Sequence, residues 1–150
     1  MRLEVTRKSD LAVRALIALG RSGKRVKASA LAEATGATPG FVPQVVSPLV
    51  RRGWVASDPG PTGGYSLRVD PSTISVLNVI EAVEGVTDTV NCVLEDRACN
   101  DQGHCSLHVP WSRSRELLLN SLREVSIADL LDDEDMRPPS GTDVSLGARL

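Results

Sequence analysis

Every cysteine and histidine of this 150-residue chain lies in one polar stretch, CVLEDRACNDQGHCSLH. The stretch holds three cysteines and two histidines: Cys92, Cys99, Cys105, His104 and His108. Free cysteine usually behaves as a small buried hydrophobic residue. Acids, amides and a glycine separate these cysteines, however, and such residues are typical of an exposed loop. Thiols and imidazoles in a loop of this kind predict a metal-binding or redox-active site.

Disulfide bonding explains the cysteines poorly, because their number, three, is odd. The apolar run at residues 11–19 is interrupted by Arg14 and has helical periodicity, so it predicts a folded helix and not a secretory signal. No stretch approaches the roughly 18 apolar residues of a membrane span. We therefore expect a cytoplasmic protein that has reduced thiols and no membrane partner.

The charges divide the chain into two unlike parts. Residues 1–70 carry 11 Lys/Arg against 5 Asp/Glu, whereas residues 71–150 carry 6 against 14. The basic first part is expected of a surface that binds nucleic acid. Aromatic residues make up only 3% of the chain, so leucine, valine and alanine must form the core, which favours helices.

Three segments of helical periodicity fill the first part of the chain. The first is predicted to begin at Ser9 as N-cap and to end at a pair of glycines. The second, SALAEAT, stops at Gly36. The third lies within ATPGFVPQVVSPLVRRGW, with Thr38 as the predicted N-cap and Pro39 as the first helical residue. This order of helix, short helix, glycine turn and helix predicts a helix-turn-helix.

The apolar period changes after Gly53. WVAS and GYSLRV are short strand-like runs, and the breaker-rich segment DPGPTGG separates them. These runs predict a β-hairpin with a glycine-rich loop. A helix-turn-helix followed by a hairpin is a winged helix.

The acidic second part predicts two more helices. STISVLNVIEAVEG has one apolar face and stops at Gly85. PWSRSRELLLNSLREV has Pro110 at an early helical position and carries more apolar surface than a solvent-exposed helix needs. We interpret it as a dimerisation helix, with ordinary core packing as the alternative. Ser126 and Asp129 then form a predicted capping arrangement.

The predicted fold class is mainly α, a winged helix-turn-helix with a small β-hairpin wing plus a long C-terminal dimerisation helix. Residues 1–70 are predicted to form the DNA-binding domain. Residues 71–132 are predicted to form the cysteine loop and dimerisation helices, and residues 133–150 a disordered tail.

Taken in order, several motifs resemble the Rrf2 family of winged-helix regulators. They are the MRL start, SDLAVRAL, the helix-turn-helix, the TGGY wing, SVLNVIEAVEG, the three-cysteine loop and the long helix ending in SIADLL, which together cover roughly residues 1–132. The resemblance implies a homodimer that binds a double-stranded DNA operator. It also implies that the cysteine loop holds an iron–sulfur cluster, and the C-x6-C-x5-C spacing is similar to the variable spacings of that family.

The chemistry of the loop leaves three alternatives. Thiolates suit iron–sulfur clusters, and a long loop wraps a multi-iron core more readily than a short C-x2-C turn does. Cys92, Cys99, Cys105 and His108 also form a possible Cys3His zinc site. The thiols are metal-free in the third alternative. We predict the iron–sulfur cluster.

Three cysteines leave one ligand position of a cluster to fill. His108 resembles the histidine ligand of IscR-like members, which carry two-iron clusters. Asp10, in SDLAVRAL, resembles the aspartate that NsrR-like members supply from the partner subunit to a four-iron cluster. His104 is a further competitor, while a surface histidine and a first-turn acid favoured by the helix dipole are the ordinary interpretations. We narrowly prefer His108 and a 2Fe-2S cluster to Asp10 and a 4Fe-4S cluster, because His108 needs no second chain.

The DNA-binding part departs from the family at its prolines and in its wing. Pro43 is tolerable if the third helix starts near Val42, whereas Pro48 predicts a kink or a break. Many relatives have an arginine just before the wing glycines, but this chain has DPG, starting at Asp58, which puts minor-groove contact in doubt. The predicted base contacts are Thr38 and Gln44, and the predicted phosphate contacts are Arg51, Arg52, Arg2 and Lys27.

These observations predict a DNA-binding transcription regulator whose iron–sulfur cluster senses redox state, nitric oxide or iron supply. The alternatives are an iron–sulfur electron-transfer or cluster-carrier protein with a degenerate DNA-binding module, and a zinc-binding winged-helix regulator. The sequence has no nucleophile–base–acid constellation and no phosphate-binding glycine loop before a helix. We therefore do not expect an enzyme.

Overall fold

The computed structural model describes residues 4–87, 90–94, 97–99 and 105–133. Its helices and strands are α1 (Arg7–Ser22), α2 (Ala28–Thr35), α3 (Val42–Arg51), β1 (Val55–Asp58), β2 (Gly64–Leu67), α4 (Val76–Glu84) and α5 (His108–Glu124). Short 3-10 turns lie at Pro71–Thr73 and Ala128–Leu130. The predicted tail lies, apart from residue 133, outside the described residues.

The first helix begins earlier than predicted. Thr6 is the N-cap of α1, and its hydroxyl oxygen accepts a hydrogen bond of 3.2 Å from the backbone N of Ser9. The predicted N-cap at Ser9 is therefore wrong, since Ser9 lies within the helix and is completely buried. Thr6 offers the same capping hydroxyl three residues earlier, so Arg7 and Lys8 join the first turn.

The third helix, in contrast, starts later than predicted. Phe41 is the N-cap of α3, and the carbonyl of Thr38 accepts from the backbone N of Phe41 at 2.9 Å in the preceding turn. The predicted cap at Thr38, with Pro39 as the first helical residue, is therefore wrong. Pro43 falls in the first turn, where a missing N–H costs nothing, as predicted for a helix that begins near Val42.

Of the kink or break predicted at Pro48, the break does not occur. The helix is continuous from Val42 to Arg51, and Pro48 is fully buried. The N–H that proline lacks would have met the carbonyl of Gln44, a residue on the exposed side of the helix. Water can satisfy that carbonyl, which limits the cost of the proline.

The two strands form the predicted wing. They pair antiparallel in the register Val55↔Leu67 to Asp58↔Gly64, and the backbones of Val26 and Tyr65 exchange two hydrogen bonds of 2.8 Å beside them. Gly64 has φ +148°, and a Cβ there would lie 2.4 Å from the carbonyl oxygen of Val26. Only glycine allows this close approach. Gly64 therefore lets the wing pack against the α1–α2 connection.

One hydrophobic core holds the described elements together. It consists of leucine, isoleucine, valine and alanine side chains around α1, which packs against α2, α3 and α4. Ile74 and Ile127 are both fully buried, and the backbone N of Ile127 donates to the carbonyl of Ile74 at 2.8 Å. The chain beyond α5 therefore returns to the same core.

Side-chain caps stabilise two elements of the second part, and one of these caps was predicted. Ser75 and Asn78 form a capping box at the start of α4, with two hydrogen bonds of 3.1 Å. Ser126 and Asp129 form the predicted reciprocal pair, with hydrogen bonds of 2.8 and 3.2 Å. The helix α5 starts at His108, so Pro110 lies in its first turn as expected.

In the described part of the chain, no helix combines the length and apolar character needed to cross a membrane.

Candidate metal centre and nucleic-acid interface

A small antiparallel bridge organises the cysteine loop. The backbone N of Cys92 donates to the carbonyl of Arg97 at 2.8 Å, and the backbone N of Cys99 donates to the carbonyl of Val90 at 2.9 Å. Asn91 and Ala98 face each other between these two bonds. Cys92 and Cys99, which are separated by six residues in the sequence, therefore lie on adjacent segments of the backbone.

The three sulfur atoms form a compact group. The Sγ atoms of Cys92, Cys99 and Cys105 all lie within 4.8 Å of one another, and each cysteine is half-buried and free of disulfide bonds. Partial burial, together with the neighbouring thiols of Cys92 and Cys105, raises the pKa of the Cys99 thiol. A metal ion would stabilise the thiolates and reverse this effect, since thiolate ligands bind with loss of their protons. The donor set therefore fits a soft metal centre.

His108 lies at the same site, at the junction with α5. Its backbone N donates to the carbonyl of Cys105 at 3.0 Å, which ties the first helical residue to the third cysteine. The side chains of Cys99, Cys105, His108, Trp111 and Arg115 line one small pocket. His108 is nevertheless not a member of the compact group of ligand atoms, which in the described residues contains the three cysteines alone.

Asp10 lies elsewhere in the subunit, in the first turn of α1. Its carboxylate is 2.9 Å from Nε of Arg14 and 3.7 Å from Nη1 of Arg7. Within one subunit the structure therefore places His108 in a pocket with Cys99 and Cys105 but leaves Asp10 in an ion pair. His104, the other histidine of the loop, lies outside the described residues.

The exposed side of α3 is polar. Gln44, Ser47 and Arg51 are exposed at spacings of three and four residues, which place them on one face of the helix. Val42, Val45, Val46 and Leu49 are buried on the opposite face. Such an amphipathic helix can bury its apolar face in the core while it presents polar groups to the major groove.

The other predicted DNA contacts lie around this face. Thr38 is exposed in the turn before α3, Arg52 follows its last residue, and Lys27 is the exposed N-cap residue of α2. Arg2 lies outside the described residues. The structure thus presents Lys27, Thr38 and Arg52 to solvent, as DNA contacts require.

Sequence reasoning missed Ser47 and Arg25. Ser47 could have been found from its helical spacing between Gln44 and Arg51. Arg25 could not, because its partner is Asp58, 2.9 Å away at the loop end of β1. Only the pairing of Val26 with Tyr65 brings these two residues together.

Comparison with protein families gives a match over nearly all described residues. The model of the family Rrf2, described as iron-dependent transcriptional regulator, matches residues 5–133. The chain is 31% identical over 136 residues to the HTH-type transcriptional regulator IscR of Yersinia pseudotuberculosis, with 89% of this chain and 82% of that protein covered. It is 30% identical over 141 residues to IscR of Klebsiella pneumoniae, with 93% and 86% covered. These relatives are transcriptional regulators, which confirms that the chain is not an enzyme.

Solved structures show the same fold. CymR, the global cysteine regulator of B. subtilis, superposes with a TM-score of 0.71 at 23% identity, over 87% of this chain and 97% of that one. IscR of T. potens superposes with a TM-score of 0.70 at 24% identity, over 93% and 94%. These likenesses confirm the predicted winged-helix fold class.

Proposed function

The chain belongs to the Rrf2 family of DNA-binding transcriptional regulators, and from this membership we propose that it is an iron–sulfur-dependent regulator that acts as a homodimer. The single observation that supports the metal-dependent part most strongly is the group of Cys92, Cys99 and Cys105 sulfurs within 4.8 Å of one another. Three adjacent thiols in a polar loop are a typical ligand set for a soft metal.

We propose that Cys92, Cys99 and Cys105 hold the cluster and that His108 supplies the remaining ligand. The pocket that His108 shares with Cys99 and Cys105 supports this choice within one subunit. Asp10 of the partner subunit is the competing ligand, at the cost of breaking its pair with Arg14. A cluster with His108 would be of the 2Fe-2S class, and one with Asp10 of the 4Fe-4S class.

A bound cluster supplies iron that can be oxidised, lost or attacked by a small ligand such as nitric oxide, and a nitrogen or oxygen ligand makes one iron more accessible than four thiolates would. The chain itself positions this chemistry at the start of α5. The hydrogen bond from His108 N to Cys105 O fixes the third cysteine to the helix. A change in the loop can therefore reach α5 directly.

The surface of α5 supports the homodimer. None of its residues is buried in the described chain, and Val109, Leu117 and Leu118 are 69%, 64% and 44% exposed. An exposed apolar surface of this kind on one helix is typical of an interface. A two-fold axis near α5 would pair two copies of α3 for the two half-sites of an operator.

The DNA-binding surface is proposed to consist of residues 1–70, with Gln44 and Thr38 at base edges. Arg51, Arg52, Lys27 and Arg2 would contact phosphates, and Ser47 joins Gln44 on the exposed face of α3. The net charge of residues 1–70 is +6, which favours association with DNA.

A zinc-dependent regulator is the second candidate. Tetrahedral Zn²⁺ with Zn–S bonds of about 2.3 Å places its sulfur ligands roughly 3.8 Å apart. Three sulfurs within 4.8 Å of one another are compatible with that spacing, and His108 would complete a Cys3His site. The two candidates use the same residues and differ in the metal.

Anaerobic purification followed by visible absorption and by analysis of iron, sulfide and zinc tests the proposal. We expect iron and sulfide in equal amounts, a visible charge-transfer spectrum and substoichiometric zinc. Serine variants of Cys92, Cys99 and Cys105 should each lose the spectrum. One zinc per subunit without sulfide would establish the second candidate, and wild-type protein with neither metal would contradict both.

A further inference from the structure

The carboxylate of Glu84, the last residue of α4, accepts the hydrogen bonds that open α1. Its Oε1 accepts from the backbone N of Thr6 at 3.0 Å, from the Thr6 hydroxyl at 2.9 Å and from the Ser9 hydroxyl at 2.5 Å. The donors lie at least 75 residues away in the sequence. One side chain thus joins the end of α4 to the N-terminus of α1.

Electrostatics favour an ionised carboxylate at this position. Partial burial would raise the pKa of Glu84, but the hydrogen bonds from Ser9 and Thr6 outweigh it and hold the pKa below its usual value. The N-terminal end of a helix also attracts negative charge, because its first N–H groups are unpaired. Hydrogen bonds to an ionised group are stronger than those between neutral groups. The contact therefore resists small relative displacements of the two helices.

Glu84 also stands where the cysteine loop begins. Gly85 ends α4, and the segment between α4 and α5 carries all three cysteines. One turn earlier, the carboxylate of Glu81 accepts from the backbone N of Thr87 at 3.2 Å, which holds the first residues of that segment to α4. The helix α1 in turn packs against α2 and α3, the two helices of the helix-turn-helix.

We propose that Glu84 is a positioning residue that transmits the state of the cysteine loop to α1 and hence to the DNA-binding helices. This inference rests on the proposed function, because it concerns how a metal centre in the loop changes DNA affinity. When the first loop residues move, the hydrogen bond of Thr87 moves the end of α4 with them. The hydrogen bonds of Glu84 then move Thr6 and Ser9 at the start of α1.

The test is the ratio of DNA dissociation constants between metal-loaded and metal-stripped protein. Typical couplings between two sites give ratios of about 5 to 150. Glu84→Ala is expected to retain the metal and its spectrum while the ratio falls to near 1. Glu84→Gln keeps an oxygen acceptor without the charge and should give an intermediate ratio. Glu124→Ala, which removes an exposed acid at the end of α5, should keep the wild-type ratio.

The same ratio separates a coupling role from a structural one. If Glu84→Ala leaves the ratio unchanged, whether or not DNA binding weakens in both states, Glu84 acts only as a helix cap and the inference is wrong. Should Glu84→Ala fail to fold, Ser9→Ala removes one donor from the α1 side and is expected to lower the ratio.

Failure of the proposed function has a different signature. If wild-type protein holds no metal, the loop is changed instead by alkylating its three thiols with iodoacetamide. Hydrogen exchange at residues 6–10 should then respond to alkylation in the wild type and not in Glu84→Ala. An equal response in both proteins would contradict the inference whether or not a metal binds.

Discussion

The guanidinium of Arg25 lies 2.9 Å from the carboxylate of Asp58 and so brings a positive charge to residues 55–67 of the wing, which have none of their own. From Val55 to Leu67, Asp58 is the only charged residue. Arg25 directly precedes Val26, whose backbone pairs with Tyr65 of β2. The positive charge that pairs with the wing therefore comes from the α1–α2 connection.

We predict that Arg25→Gln weakens DNA binding and lowers the slope of log K against log salt by about 1 for each phosphate that the protein no longer neutralises. Asp58→Asn removes the acid but keeps Arg25, and it should strengthen binding because less negative charge faces the DNA. Fluorescence anisotropy titrations at several salt concentrations measure both effects. Arg113→Gln, on an exposed position of α5, is the charge-matched control. An Arg25→Gln slope equal to that of the wild type would show that the pair does not bind DNA.

Gly64 should be irreplaceable in the wing, since an added Cβ would lie 2.4 Å from the carbonyl oxygen of Val26. Gly64→Ala is expected to lower the free energy of unfolding by about 1–3 kcal/mol through strain at a positive φ. Gly40→Ala is the matched control, because a Cβ at Gly40 meets nothing within 4 Å. Thermal unfolding of the two variants gives the comparison, and equal melting temperatures would refute the close approach.

The choice between His108 and Asp10 is testable on the metal centre itself. His108→Ala is expected to lose or shift the visible spectrum, because His108 shares the pocket of Cys99 and Cys105. Asp10→Ala should retain the spectrum, since Asp10 pairs with Arg14 within its own subunit. Absorption and iron analysis of both variants decide the matter. The opposite pattern, with four irons per subunit, would assign the ligand to Asp10.

The exposed leucines of α5 are predicted to form the dimer interface. Leu117→Glu combined with Leu118→Glu should give a monomer, because burying two carboxylates in an apolar interface is costly. Light scattering at micromolar concentration measures the mass. The control is Arg113→Glu together with Glu116→Arg, which changes charges on the same helix without adding them to the apolar residues. A monomeric wild-type protein would contradict the homodimer outright.

The sequence was most informative where a single local pattern decides the structure. The apolar periods of α3 and α4, the strand pattern around the wing glycines and the pairing of Ser126 with Asp129 are all local. Errors came where two local solutions compete, as with Thr6 and Ser9 for the cap of α1. At Pro48, tertiary packing of a buried proline overrode the local preference for a break.

Contacts between distant segments could not be predicted. Glu84 meets Ser9 across 75 residues, and Arg25 meets Asp58 only because the wing folds back on the α1–α2 connection. The gathering of three sulfurs was expected from their shared loop, but the bridge between Asn91 and Ala98 that brings Cys92 beside Cys99 was not. Side-chain partners of this kind depend on the assembled fold.

The most direct test of the proposed function is one DNA-binding titration carried out on the same protein preparation with and without its metal. The DNA is selected from a random pool by the anaerobically purified protein, and the metal is then removed with a chelator under reducing conditions. We predict a dissociation constant that changes at least about fivefold on removal, with no change in a Cys92→Ser variant treated in the same way. Equal dissociation constants for loaded and stripped wild-type protein would contradict a metal-dependent regulator.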